Sequence, residues 1–407
     1  MHGFVQMKFK VIDNCLACES QDLLKVLDLG SQPLANSYRD VDDDSIEEIF
    51  PLLLRVCQQC FHAQISVAVD PLILYEEYSY VSGTTSTLRS YFKEFAEEIS
   101  QRGKKTTVLD IAANDGSFVR ALVDVGLKAC GVDPAKNLVK KALSDGLPMY
   151  FGFWSSRFAH EFNQRFDVIT AMNVLAHVGD PLDFLIGCRM ALKPSGSIFI
   201  QTSQAFMINR GEFDTIYHEH HSFFNTRSLQ RLAERANLHV VDGKYVDVHG
   251  TSYRWELKDK PSFIPLDLLD DESRRGMTTM ETFFRFAEIA EDRARETASI
   301  INRQRGMGFT ICAYGAAAKA HTFFNYANIK PDVVVDDNPL KQGCRSPGSG
   351  VIIQHPDSLR EIEGPVQFII SAWNFAKEIK GHIVRIRPNQ TDDRFLQYFP
   401  EVENSGH

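Results

Sequence analysis

The stretch Lys105-Thr106-Thr107-Val108-Leu109-Asp110-Ile111-Ala112-Ala113-Asn114-Asp115-Gly116-Ser117-Phe118 decides the fold. Its first half is β-branched and apolar, which predicts a short strand ending at Asp110. A tight polar loop follows, and a helix begins at "SFVRALVDVG". The same order of strand, acid and helix returns in "LKACGVDPAKNLVKKAL" around Asp133. "FDVITAMNVLAHV" and "GSIFIQTS" supply a third and a fourth strand. Strands that alternate with helices predict a parallel, doubly wound sheet. Upstream, "LRSYFKEFAEEISQR" sets Leu88, Tyr91, Phe92, Phe95, Ala96 and Ile99 at helical spacing.

Downstream, residues 266–305 read as mainly helical, with Met280, Phe283, Phe284, Ala287, Ala294 and Ile301 as one apolar stripe. Such a helix suits the join between two domains. A second strand, turn and helix starts in "GFTICAYGAAAKAHTFFNY", and "PDVVVDDNPLKQG" and "VQFIISAWNF" add strands with polar ends. The tail "ENSGH" reads as frayed.

A chain of 407 residues predicts two or three domains. Lys and Arg number 44 against 53 Asp and Glu, a net charge of -9, and no long basic run occurs. Nucleic acid is therefore not the expected partner. No stretch of about 18 apolar residues is present to span a membrane. The opening "MHGFVQMKFKVIDNC" lacks the apolar core and small-residue cleavage site of a signal peptide. A cytoplasmic protein with reduced thiols is the expectation.

Four of the eight cysteines form two CxxC pairs, Cys15 with Cys18 and Cys57 with Cys60. Four thiolates suit one tetrahedral Zn²⁺ and leave no open position, so the ion would be structural. Two unrelated pairs, or a redox CxxC, are the alternatives. The acidic "DVDDDSIEE" between the pairs reads as solvated. Cys130, Cys188, Cys312 and Cys344 read as ordinary buried thiols.

Ligands of open parallel sheets bind beyond the carboxyl ends of the strands. Asp110, Asn114 and Gly116 lie there in the first unit, Asp133 ends the next strand, and Asn173 follows the third. The loop lacks GxGxxG and so offers no special pyrophosphate cradle. S-Adenosylmethionine carries no phosphate and can dispense with one. A methyltransferase is the favoured reading, with an NAD-type fold as the other. In the C-terminal unit, Gly315 and Lys319 would take the phosphate end of a ligand, and Asn374 would touch its sugar or nucleotide. Close packing behind Gly315 is the plain alternative.

The stretch Tyr217-His218-Glu219-His220-His221-Ser222-Phe223-Phe224 sets three histidines around one glutamate. A metal site there would need a third ligand, and none is evident. With "NVLAHVGDP" and "AYGAAAKA", the stretch makes the chain resemble the sugar C-methyltransferases of branched deoxysugar biosynthesis. These act at C-3 of nucleotide-linked 4-keto-6-deoxyhexoses. The resemblance runs over nearly the whole chain, from the CxxC pairs to "SAWNFAKEI".

It implies a zinc-binding module (1–75), a central Rossmann-like S-adenosylmethionine domain (76–260), and a C-terminal Rossmann-like α/β domain (261–407) that includes the linking helix. The last would hold a nucleotide-linked keto-deoxysugar, and the protein would be a monomer. By motif, the catalytic histidine of the family falls on His220, with Glu219 and Tyr217 beside it. A family tyrosine falls on Tyr80 and a family histidine on His177. His218 stands where the family has aspartate. "VHGTSYRW", with His249, matches a substrate-side segment in which Thr251 replaces a frequent glycine.

Methyl transfer to carbon needs a carbon nucleophile. A ketone at C-4 makes the C-3 proton removable, given a base and a group that stabilises the enolate oxygen. His220 is the expected base, since histidine titrates near neutrality. Glu219 would orient it or bind a hydroxyl, and Tyr80 and His177 would donate hydrogen bonds. A methyltransferase acting on RNA or protein, an NAD-linked oxidoreductase and a non-catalytic zinc scaffold are the competing readings.

Overall fold

Strand β6 (Thr107–Ile111) shows how the sequence builds the first sheet. Leu109 and Ile111 pack into one apolar cluster and Val108 into another, on opposite faces, as the two-residue repeat of a strand requires. Both faces are covered, so the strand is apolar nearly throughout. In the computed structural model the described residues are 8–75, 86–203, 205–262 and 267–406.

The strands before it are β1 (Phe9–Val11), β2 (Leu23–Pro33), β3 (Ile49–Cys57), β4 (Ala63–Ile65) and β5 (Val67–Val69). Helices α1 (Pro71–Tyr75) and α2 (Ser86–Ser100) lead into β6. After it come α3 (Ser117–Asp124), β7 (Lys128–Asp133), α4 (Lys136–Ser144), β8 (Met149–Phe151), α5 (Ser156–Phe162) and β9 (Phe166–Met172). Next are α6 (Pro181–Ala191), β10 (Leu192–Thr202), α7 (Met207–Arg210), β11 (Ser222–Phe223), α8 (Thr226–Arg235), β12 (His239–Val246) and β13 (Ser252–Lys258). The remainder comprises α9 (Asp267–Arg274), α10 (Met280–Gly306), β14 (Thr310–Tyr314), α11 (Ala318–Tyr326), β15 (Val333–Val335), β16 (Ile353–Gln354), β17 (Val366–Ile370), α12 (Ala376–Ile386), β18 (Arg394–Gln397) and β19 (Glu403–Gly406).

The chain divides into two compact units. The first takes residues 1–24, 55–206 and 219–280; the second takes 25–54, 207–218 and 281–407. The first is built on a seven-stranded sheet in the order β12-β13-β10-β9-β6-β7-β8. Five of its strands are parallel, but β13 and β12 run as an antiparallel hairpin at one edge. The hairpin departs from the all-parallel sheet expected from sequence. Phe95 of α2 stacks on Phe118 of α3 with ring centroids 5.5 Å apart, and Arg254 lies 3.9 Å from the centre of the Phe95 ring.

The second unit has a six-stranded sheet, β16-β15-β14-β17-β18-β19. Ile379, Ile383 and Ile386 of α12 pack on Cys312, Phe368 and Ile370. The tail is not frayed: Glu403 to Gly406 pair antiparallel with β18, which supplies the backbone partners an isolated terminus would lack. In α10 the stripe holds for Phe283, Ala287, Ala294 and Ile301, whereas Phe284 is exposed. One position of helical phase turns it off the buried face. Cys130, Cys188 and Cys312 are buried, but Cys344 is partly exposed in an irregular turn.

Candidate active site and metal centre

At the end of β6 the chain enters a loop in which Ala112, Asn114 and Gly116 all have positive φ, of 56°, 54° and 76°. Asp133, the last residue of β7, fixes it. One carboxylate oxygen accepts the Asn114 amide at 2.7 Å and the other the Ala135 amide at 2.8 Å. Burial raises the Asp133 carboxyl against those two bonds. A Cβ on Gly116 would stand 2.6 Å from Leu147 Cδ1 and 3.3 Å from Ala142 Cβ, so glycine answers both the backbone angle and close packing. Asp110 faces inward and accepts Thr170 Oγ1 at 2.7 Å. Burial pushes its carboxyl up to about 7, with the Thr170 bond opposing.

Asn173 follows β9 at a φ of 58°, and its amide donates to the Gln201 carbonyl at 2.9 Å. Its side-chain oxygen is buried without a partner among the described residues. Sequence reading passed over two neighbours at the end of β10. Gln201 Nε2 and Thr202 Oγ1 are also buried and unpartnered among the described residues. Tyr91 donates to Gln201 Oε1 at 2.5 Å, and Arg254 reaches the Tyr91 hydroxyl at 3.3 Å. The signal was available as the polar pair that closes the apolar run "IFIQT".

The histidine stretch is not a wet loop. Glu219 and His220 are each 5% exposed, His218 and His221 1%. The boundary between the two units falls between His218 and Glu219. His218 Nε2 bonds to the Phe50 carbonyl at 3.2 Å, and burial holds its pKa at about 4. That is a packing role, in the second unit.

His220 meets His177 in the first unit. Their ring centroids are 4.7 Å apart, edge to face, although 43 positions separate them in sequence. His177 ends a short 3-10 turn, Leu175–His177, that leaves the carboxyl end of β9. The His221 amide donates to the Ala176 carbonyl at 2.8 Å, so the loop is hung on that turn. Burial first, then the charge of His221, pulls His177 down to about 4, against a hydrogen bond to the Glu219 backbone. The imidazole is neutral at pH 7 and can donate or accept a hydrogen bond. The turn that carries His177 and the 112–116 loop both leave the carboxyl end of the sheet, since β6 and β9 are adjacent parallel strands.

His249 is exposed in the turn between β12 and β13. Residues 249, 250 and 251 have φ of 52°, 76° and 84°. Thr251 thus keeps the left-handed angle that glycine would adopt without strain. Tyr217 lies with the second unit. Tyr80 and the side chain of Asn374 lie outside the described residues.

In the second unit, Lys319 lies in the first turn of α11, 5.4 Å from the Trp373 ring centre. Its charge is the leading influence that draws down the buried carboxyls of Glu212 and Asp214, both of which burial raises. Trp373 donates to Asp214 at 3.3 Å. Gly315 has a φ of 106° and lines a cleft of about 440 Å³ with Tyr314, Asp336, His382 and Arg385. The cleft opens at the carboxyl end of β14, where the strand order reverses, the customary ligand position in such sheets.

The four CxxC sulfurs lie within 4.8 Å of one another. Cys15 and Cys60 are 3.6 Å apart, Cys18 and Cys57 3.5 Å. Tetrahedral Zn–S bonds of about 2.3 Å imply sulfur separations of about 3.8 Å, so the cluster fits one Zn²⁺ with no open position. The hydrogen bond from Cys57, then burial, pushes the Cys15 thiol up to about 12, while Cys57 is driven well below its usual value by Cys15 and Cys60. A cation there would let all four ionise.

Three family models match the chain in succession. Residues 15–75 match a "zinc binding domain", 82–242 a "methyltransferase domain" and 248–400 a "C-methyltransferase C-terminal domain". The chain is 28% identical over 411 residues to "C-methyltransferase NovU" of Streptomyces niveus, covering 96% of each. It is 33% identical over 118 residues to a ubiquinone biosynthesis O-methyltransferase of Proteus mirabilis, covering 28% of this chain and 46% of that enzyme. A solved S-adenosylmethionine-dependent methyltransferase from Clostridium acetobutylicum is 14% identical, covers 42% of this chain and 91% of that one, and aligns with a TM-score of 0.35.

Proposed function

Starting from a chain that is an S-adenosylmethionine-dependent C-methyltransferase, we propose that it methylates C-3 of a nucleotide-linked 4-keto-6-deoxyhexose, with His220 as base. The observation that carries this reading is the pairing of half-buried His177 with buried His220 beside the turn that leaves the carboxyl end of β9, the strand next to the one that leads into the 112–116 loop. A simple methyl transfer to oxygen asks less of two paired imidazoles than abstraction of a proton from carbon does.

S-Adenosylmethionine, when bound, supplies an electrophilic methyl group. Asn114, Gly116, Asp133 and Asn173 are the residues read as holding it, with Asp110 fixing the strand beneath. His220 takes the C-3 proton. The C–H electron pair becomes the C-3 to C-4 double bond of an enolate, and the carbonyl π pair moves to the oxygen. Neutral His177, with Tyr80 and Tyr217, is read as donating hydrogen bonds toward that oxygen or the sugar. Glu219 orients His220. The C-3 to C-4 π pair would then form the bond to the methyl carbon as an oxygen pair re-forms the C-4 carbonyl, the methyl–sulfur pair would leave with sulfur, and the His220 proton would pass to solvent. Burial of the site strengthens each of these electrostatic interactions.

Gly315, Lys319 and Asn374 are read as groups that hold the nucleotide end of the sugar substrate, and His249 is read from its motif as a substrate-side residue. The cleft at Asp336 suits the hydroxyls of a ribose. We read the protein as a cytoplasmic monomer that acts on a small molecule. Among the described residues no helix is long and apolar enough to cross a membrane.

The test is mass spectrometry of the protein with S-adenosylmethionine and a panel of nucleotide-linked 4-keto-6-deoxyhexoses in deuterated water. Gain of one methyl is expected, with His220→Ala abolishing both methyl gain and C-3 deuterium exchange. Methyl gain undiminished in His220→Ala would remove His220 as base. Binding of S-adenosylmethionine without methylation of any sugar would point to another substrate class.

A further inference from the structure

The two histidines sit on irregular backbone, and something must hold that backbone to a fraction of an ångström. We propose that the four-cysteine centre does so, with Gln64, His62 and Asn225 as the positioning residues that carry its geometry to the histidine loop. The inference rests on the proposed function only in taking His220 as the base.

The second cysteine pair closes a tight turn: the Phe61 amide donates to the Cys57 carbonyl and the Cys57 amide to the His62 carbonyl, both at 2.9 Å. Strand β4 starts at Ala63, three residues after Cys60, and pairs with β11, which starts directly after His221. The Ile65 amide donates to the His221 carbonyl at 3.1 Å. Two-residue pairing is weak by itself, and three buried side chains reinforce it.

His62 Nε2 lies 3.1 Å from Ser222 Oγ. Asn225 Nδ2 donates to the Phe61 carbonyl at 2.8 Å. Gln64, opposite Ser222, grips the first cysteine pair: its Oε1 accepts the Leu16 amide at 2.8 Å and its Nε2 donates to the Asn14 carbonyl at 3.0 Å. His62 and Gln64 are 0% exposed and Asn225 2%.

The helix that follows is pinned at both ends. Asn225 caps α8, and Arg235 in its last turn donates to the Leu16 and Ala17 carbonyls at 3.3 and 3.0 Å. From His221 the connection passes through the Ala176 carbonyl to His177. The second cysteine pair is thus tied to the segment bearing His220 by backbone pairing and buried side chains, and the first pair through Gln64. Partners one shell out commonly orient active groups in this way.

The experiment is hydrogen–deuterium exchange of the full chain loaded with Zn²⁺ and after chelation, followed by mass spectrometry. Exchange in peptides covering 217–224 and 226–235 is expected to rise at least tenfold on chelation, while 310–326 stays unchanged. Equal protection of 217–224 with and without metal would overturn the proposal. Equal loss of protection at 310–326 would also overturn it, since the metal would then support the whole fold.

Asn225→Ser keeps a helix cap and removes the amide bond to Phe61. It should lower kcat by about tenfold, with KM for S-adenosylmethionine unchanged, in the range usual for outer-shell partners. An unchanged kcat would remove Asn225 from the path. Exchange does not depend on turnover, so an active His220→Ala would refute the base and leave this result standing.

Discussion

Thr251 shows what a single residue can disclose. A β-branched side chain at a φ of 84° is strained by about 1–2 kcal/mol relative to glycine. Thr251→Gly is therefore expected to stabilise the protein by about 1 kcal/mol, somewhat offset by the freedom glycine gains when unfolded. Urea denaturation measures it, and a destabilised variant would contradict the strain. Asp110 and Asp133 look alike in the sequence, each after an apolar strand. Only the structure separates them: Asp110 is turned into the sheet onto Thr170, while Asp133 accepts one amide from the 112–116 loop, that of Asn114, and one from Ala135 just after its own strand. His218 and His220 are likewise separated by packing, one onto the Phe50 carbonyl and one onto His177.

Among elements, the second sheet depends on a buried clamp. Arg387, just after α12, pairs with Asp393 at 2.8 Å, and the two side chains are 2% and 0% exposed. The guanidinium also donates to the Leu359, Ile362 and Gly364 carbonyls, and Asp393 accepts the Val366 amide at the head of β17. Arg387→Leu would leave a buried carboxylate unpaired and is expected to cost about 3–5 kcal/mol. A calorimetric scan should show the loss, and a change below about 1 kcal/mol would mean the charge is relieved elsewhere. Helix α10 was legible because its apolar spacing is periodic. Strand β19 was not, because "ENSG" has no apolar signal and is a strand only through its pairing with β18.

Over the whole molecule, neutral buried histidines tie stability to pH. Burial holds His177, His218 and His321 at about 4, against an ordinary value near 6.5. Between those values the unfolded chain binds more protons, so this contribution is complete above about pH 6.5 and is lost as pH falls toward 4. For His218 and His321, 1% and 2% exposed, the loss is on the order of 3 kcal/mol each at most. Denaturant midpoints should fall steadily from pH 7 to pH 4, and a flat profile would show that these rings charge freely.

The alternation of strand and helix and the two CxxC pairs are local patterns, and they sufficed to predict two α/β sheets and a four-cysteine zinc site. The edge hairpin β12–β13, the meeting of His177 with His220, and the bonds that tie both ends of α8 to the turns bearing the cysteine pairs needed the tertiary structure. Each joins residues far apart in sequence, and partner choice at such distances depends on how buried faces and backbone groups are satisfied in three dimensions.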